Sequence, residues 1–401
     1  KSADRNQLPL ETTWVRKYDR TLNVPNSDEK WTDVDNGTLA QGQAYEISQP
    51  KPATYRFIGE LNTADFTFPV DGMASATNYQ YMNILANPYT GAMSIDKLDF
   101  SGATAADKVV YLFNTGSRKD WIANSGPTTN GTTQGQYTKA IPANLAGHVA
   151  GMPNQIPSLS SFMVKSTAAG NLKYRYADLV TATEENRAPE RRFHSLAVDV
   201  ESAKTADRLW LVQAEGTTDR YDNGWDGEKI FAPGEAALYA MQDRSYQVTT
   251  TDAIGETKVG FVPGDGEQNY KLTFHLDGGD GTQQYTLLDK RTGLTRAIHD
   301  GDTYEFTATK GDAAHRFTIL GNGAKATADQ RGFQISADLR RNFTVKNFTD
   351  EPAEALVFDA AGKIQARFKV EAGSENTGTV VMPGAYVVRV SNKVTTLTQR
   401  F

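Results

Sequence analysis

The chain of 401 residues contains no cysteine. That one absence excludes disulfides, thiolate metal sites and cysteine nucleophiles. A secreted protein whose domains are large enough to hold without covalent staples can lack cysteine, and so can a cytosolic one. Long apolar runs are also missing, and none approaches the ~18 residues that a membrane-spanning helix needs. Charge of one sign is lacking too: 42 Lys and Arg stand against 48 Asp and Glu, a net −6. Such a mixed balance leaves no nucleic-acid footprint, and no nucleic-acid-binding motif is present. There is no G-x-S-x-G elbow, no Walker-type loop and no H-E-x-x-H. The five histidines, His148, His194, His275, His299 and His315, never pair at metal-binding spacing. Residues 321–326 match G-x-G-x-x-A by letter, but no amphipathic helix follows, so they do not read as a dinucleotide site. The opening KSADRNQLPL has neither Met nor an apolar signal core, and reads as a processed or truncated chain.

What is present is β structure. Thirty-four Gly and 15 Pro punctuate short runs rich in Val, Tyr, Phe and Thr. In NLKYRYADL, Leu172, Tyr174 and Tyr176 share a face opposite Lys173 and Arg175. In YKLTFHLD, Tyr270, Leu272, Phe274 and Leu276 oppose Lys271, Thr273 and His275. A period of two is that of a half-buried strand. RLWLVQA is apolar on both faces, Leu209 and Leu211 against Trp210 and Val212, and KVVYLF suits a central sandwich strand. Helical signal is thin; the best candidate is residues 94–98, with Ser94 as cap and Ile95 and Leu98 three apart. Gly-rich stretches near Gly264 and Asp277 read as hairpin turns. Residues 181–192 and 321–330 are polar and aperiodic and read as linkers. The expected architecture is all-β: tandem antiparallel sandwiches, jelly-roll or Ig-like, over 1–185 and 186–322, then a small C-terminal β domain over 323–401.

The densest polar cluster is TTDRYDNGWDGEK, with Asp219, Asp222, Asn223, Asp226 and Glu228. Carboxylates on a Gly-containing loop can chelate Ca²⁺ through hard oxygens, with Asp219, Asp222, Asp226 and Glu228 as the candidate ligands. The spacing is not that of an EF-hand. The same residue types also cap turns in solvated loops, the blander reading. Trp225, in the same loop, can stack on a sugar ring or a partner side chain, or fold back as a plug on the sandwich. Trp31 and Trp121 pose the same choice.

The C-terminal stretch LVFDAAGKIQARFKVEAGSENTGTVVMPGAYVVRVSNKVTTLTQRF reads as a small β unit. Tyr386, Val388 and Val390 fall on one strand face and Val387 and Arg389 on the other. This stretch resembles the C-terminal sorting domain of proteins exported by the type IX secretion system of Bacteroidota. Asp359, Gly362 and Lys363 match its D-x-x-G-[KR] hairpin. Pro383, Gly384 and Tyr386 through Val390 match its P-x-G-x-Y strand, with the Pro-to-Tyr spacing one residue shorter than the commonest form, and residues 393–401 stand in for its basic terminal strand. Further upstream, Asn87-Pro88-Tyr89 with Ile95-Asp96, IPSLSSFMVKSTAAGNLKY and HRFTIL resemble, in order, the β-rich region that precedes such domains.

The resemblance implies a secreted or cell-surface protein on the extracellular face of the outer membrane. Outer-membrane secretion and anchoring machinery would be a partner, with Arg389, Lys393 and the last residues carrying recognition. The first expectation is therefore a non-catalytic, adhesin-like or structural surface protein that meets a host protein or glycan. A glycan-binding module centred on Trp225 is the alternative. A glycoside hydrolase or lyase on a β-sandwich, which needs two acidic or basic groups converging in a cleft, is the third. No cofactor other than Ca²⁺ is expected.

Overall fold

The computed structural model describes residues 8, 13–19, 21, 22, 24, 30–48, 54, 56–73, 80–114, 136–180, 192–232, 234–279, 281–321, 332–338, 340–347, 349, 351–393 and 396–401. The two expected linkers lie almost wholly outside these residues, as does Trp121. The described chain is all-β, with several antiparallel sheets arranged as tandem sandwiches. The expected helix at residues 94–98 is a single 3-10 turn, Ile95–Lys97, with Ile95 buried. Ser94 makes no side-chain cap bond there; its hydroxyl donates instead to the Asp96 carboxylate at 2.5 Å.

A small sheet of Trp31–Asp33, Trp14–Tyr18 and Tyr45–Ser48 precedes the first sandwich. That sandwich has a four-stranded sheet in the order Met82–Ala86, Ser161–Lys165, Val109–Asn114, Gln136–Pro142. A three-stranded sheet, Phe66–Val70, Gly170–Tyr174 and Asp99–Gly102, packs against it. Phe68 meets Phe162 edge-on between the two, with centroids 5.6 Å apart. The four-stranded sheet is buried on both faces. Val110, Ile141 and Phe162 enter the sandwich core, while Val109, Tyr111, Ala140 and Met163 form a second cluster that Ile230 helps to cover. This is the physical reason for the unbroken apolar run in KVVYLF.

The next unit is one long sheet that folds round on itself. Its path runs Leu294–Ile298, Tyr285–Asp289, His315–Gly321, Thr257–Val262, Ala237–Met241, Ser245–Thr251, Ala206–Gln213, His194–Glu201, Asn269–Asp277, Thr303–Thr307. The two end strands are successive in the chain, joined through the turn at 299–302, so the sheet curls into a half-barrel round Leu238, Tyr246, Phe274 and Phe317. Every pairing along the path is antiparallel except Ala206–Gln213 with Ser245–Thr251, in which Trp210 lies opposite Val248. A parallel step needs a long connection, and residues 214–244 supply it. The strand Ala206–Gln213 serves two cores. Leu209 and Leu211 point into the half-barrel, whereas Trp210 and Val212 join the core of the first sandwich. Gly266 and Gly278 take the expected positive φ, 71° and 70°, but neither Gly-rich stretch is the expected hairpin. Asn269–Asp277 pairs with neither Thr257–Val262 before it nor Tyr285–Asp289 after it, so both stretches cross between strands that are not neighbours in the sheet.

The C-terminal unit is a sandwich of Phe333–Ala337, Asn342–Asn347 and Glu375–Thr379 against Ile364–Val370, Ala353–Asp359, Tyr386–Ser391 and Thr396–Arg400. Phe343, Val345, Val357 and Val388 centre its core. Its last strand touches the half-barrel, where the Thr396 N–H donates to the Arg291 carbonyl at 2.8 Å.

Candidate functional site

The stretch TTDRYDNGWDGEK, residues 217–229, falls almost wholly in a loop, residues 214–228, that leaves the strand Ala206–Gln213 and returns as the short strand Gly227–Glu228. Its polar side chains are consumed in fixing its own shape and in gripping the first sandwich. Asp226 is fully buried; one carboxylate oxygen accepts the Asp222 N–H and the other the Thr250 N–H, both at 2.7 Å. Burial pushes its carboxyl up to about 7, against the pull of those two donors. Asp222 accepts from the Thr218 N–H at 2.6 Å and from the Thr218 hydroxyl at 3.0 Å. Asp219 is exposed.

Asn223 reaches across to the first sandwich. Its Oδ1 accepts the Lys108 N–H at 2.7 Å and its Nδ2 donates to the Ala106 carbonyl at 3.2 Å. Beside it the Gly224 carbonyl accepts the Asn144 N–H at 3.1 Å. Gly224 sits at φ 89°, where a Cβ would also press on the Asn144 amide at 3.1 Å. At Gly227 a Cβ would lie 2.7 Å from that of Ala140, so the loop and the strand Gln136–Pro142 touch backbone to backbone. From the half-barrel, Gln247 accepts the Ala140 N–H at 2.9 Å. Trp225 is half-buried and packs on the first core, edge-on to Phe193 with centroids 5.6 Å apart.

Glu228 completes the grip. It pairs with Lys165 of the first sandwich at 2.7 Å and with Arg244 of the half-barrel. Burial works to raise its carboxyl, but the two cations prevail and hold it below the usual range. Asp107, 3.9 Å from Lys165, is pushed up by burial.

The five residues therefore do not converge on a common point. Asp222 and Asp226 bind backbone within their own unit, Asn223 and Glu228 bind the neighbouring one, and Asp219 faces solvent. Among the described residues no group of three or more His, Cys, Asp and Glu is placed to hold a metal ion. A cleft of about 540 Å³ opens beside the loop, lined by Asp99, Lys108, Asn144 and Asn223 among others. Trp225 is not part of its lining and faces the core instead. The partners at Lys108, Ala140, Asn144, Phe193 and Gln247 carry no local sequence signal, because only the strand register brings them to the loop.

The residues of the C-terminal motif have structural work in this fold. Asp359 accepts the N–H groups of Ala361 and Lys363, both at 2.9 Å, and the Gln365 amide at 2.6 Å. Gly362 takes φ 79° in the same hairpin tip. Tyr386 is buried, packs on Phe343 with centroids 5.6 Å apart and donates its hydroxyl to the Met382 carbonyl. Pro383 and Gly384 form the exposed turn before it, while Arg389 and Lys393 face solvent. Trp31 is half-buried against Tyr18.

Comparison with known proteins gives a relative of matching kind. The chain is 30% identical over 395 residues to the minor fimbrium subunit Mfa5 of Porphyromonas gingivalis, an alignment covering 92% of this chain and 32% of that protein. It thus spans about a third of that relative's length. A solved structure of a biofilm associated protein, its BSP domain, overlaps 85% of this chain and 67% of its own at 9% identity. Its TM-score of 0.16 carries no argument. Residues 3–320, which take in the first sandwich, the half-barrel and the loop that joins them, match a family described as a domain of unknown function, DUF8693, and the chain belongs to that family.

Proposed function

We propose that this chain is a non-catalytic structural part of a cell-surface protein, adhesin-like in role, of the kind that builds or decorates a bacterial surface appendage. The observation that carries the reading is the clamp at residues 214–228. Of the side chains that sequence nominates for chemistry, Asn223 and Glu228 hold two β units together and Asp222 and Asp226 fix the loop that carries them, which favours a rigid spacer or presenting element over a catalyst. The similarity to a fimbrium subunit supports the same reading and an extracellular location. Partners would then be other surface proteins of the same assembly, together with a host protein or glycan that the whole protein meets.

The C-terminal unit would carry the export and anchoring signal. Outer-membrane secretion machinery would read its exposed cations Arg389 and Lys393, since Asp359, Gly362 and Tyr386 are engaged in the fold. The test is surface display in the native bacterium. Intact cells should expose the protein to added protease and to antibody, and it should co-purify with sheared surface appendages. Deleting residues 356–401 should retain it inside the cell. Full protection from protease on intact cells would overturn the surface reading, and unchanged display of the truncated form would overturn the sorting role alone.

A further inference from the structure

Two charged side chains lie on either side of the clamp loop in the sequence. Asp207 lies at the start of the strand Ala206–Gln213, and Lys229 directly follows Gly227–Glu228. They are 22 positions apart and bracket the whole loop. Lys229 Nζ is 2.5 Å from each carboxylate oxygen of Asp207, and both side chains are only 3% exposed. The Leu238 N–H donates to Oδ2 of the same carboxylate at 2.7 Å.

We propose that Lys229 and Asp207 join in an intramolecular amide bond, a self-catalysed cross-link that closes residues 207–229, the strand together with the clamp loop, into a ring. With both oxygens at 2.5 Å, the carboxyl carbon between them lies within ~3 Å of Nζ, at the short edge of a near-attack contact. Water is excluded, and burying two separate charges is costly, so the site favours passing one proton from the ammonium to Oδ1. Burial raises the Asp207 carboxyl in the same sense, though Lys229 beside it opposes the rise. The freed lone pair on Nζ then attacks Cγ, and the C=O electrons move onto Oδ2. There the Leu238 N–H meets the developing charge, as an oxyanion donor does. A second proton passes from Nζ to the Oδ1 hydroxyl. The Cγ–Oδ1 bond breaks with its electron pair, water leaves and the carbonyl re-forms on Oδ2. One C–N bond is made, one C–O bond is broken and one water departs, so no oxidant or outside reagent is needed. The product would hold the loop, and with it the joint between the two β units, against pulling.

The test is the mass of the folded, purified full chain, measured after denaturation. The wild-type protein should be lighter than its sequence by one water, about 18 Da. A protease digest should then yield one branched peptide that carries both Asp207 and Lys229. Asp207→Ala and Lys229→Arg should each return the full sequence mass and abolish the branched peptide. A wild-type chain of full mass would overturn the proposal, as would a deficit without the branched peptide, or a deficit that persists in Lys229→Arg. The wild-type measurement decides even where a variant does not fold.

Discussion

Trp225→Ala tests whether the first sandwich and the half-barrel behave as one clamped unit. Removing a fully buried Trp costs about 3–5 kcal/mol. Trp225 is half-buried, which brings the burial part to roughly 2 kcal/mol. Its edge-on contact with Phe193 adds about 0.5–1 kcal/mol. The sum, about 2–3 kcal/mol, corresponds to a fall of roughly 3–5 °C in Tm for the two units melting together. The assay is urea unfolding followed by far-UV circular dichroism, which does not depend on the Trp that is removed. If the clamp couples the units, the single transition of both should move to lower urea together. Phe193→Ala in the same background should then cost less than it does alone, by about 1 kcal/mol. A loss below ~0.5 kcal/mol, the level of an ordinary surface change, would refute the clamp reading of Trp225. So would a split transition in which the first sandwich unfolds at its wild-type midpoint.

Arg316→Met should cost about 3–5 kcal/mol, because it leaves the Asp289 carboxylate, fully buried and bonded to Arg316 at 2.9 Å, without its counter-charge and with only the Tyr304 hydroxyl and the Arg291 N–H as donors. Asp289→Asn in the same chain should recover part of that loss in denaturant melts, and no recovery would mean that the stranded charge is not the cause. Stability should also vary with pH through Asp226, whose carboxyl titrates near 7 in the fold against 3.8 in the open chain. Its contribution is complete below about pH 4 and is lost as pH rises through 7; at ~1.4 kcal/mol per pH unit the loss totals roughly 4 kcal/mol. The wild type should therefore lose ground to Asp226→Asn between pH 4.5 and pH 8 in urea melts, and a constant gap across that range would contradict the assignment. Finally, a Ca²⁺ chelator should leave the melting temperature unchanged, since Asp222, Asp226 and Glu228 are already committed to protein donors; a drop of several degrees would restore the loop as a metal site.

The strand pattern was legible because burial on one or two faces is written directly in the alternation. RLWLVQA shows this most fully, since its two apolar faces serve the half-barrel and the first sandwich respectively. The clamp was not legible for a physical reason. Asp, Asn and Gly on a short loop are what a Ca²⁺ site needs, and equally what a loop needs to cap its own turns and approach a neighbouring backbone. The difference lies in where the oxygen lone pairs point. For Asp226 and Asn223 that depends on N–H groups of Thr250 and Lys108, which only the sheet register brings near. Lys229 and Asp207 were hidden for the same reason, as two charges in a chain with many, until the loop closed over them.

The C-terminal motif separates these two kinds of information within one unit. Asp359, Gly362 and Tyr386 make the motif recognisable, yet each is accounted for by the hairpin tip or the core. An isolated β unit with the same turn and the same buried tyrosine would need them whether or not anything read it as an address. Arg389 and Lys393 lie outside the core and face solvent. Any recognition by secretion machinery must therefore be carried by exposed residues such as these. If secretion machinery reads this unit as proposed, replacing both should abolish its export while leaving the unit folded, whereas replacing Asp359 or Tyr386 should disturb the fold first.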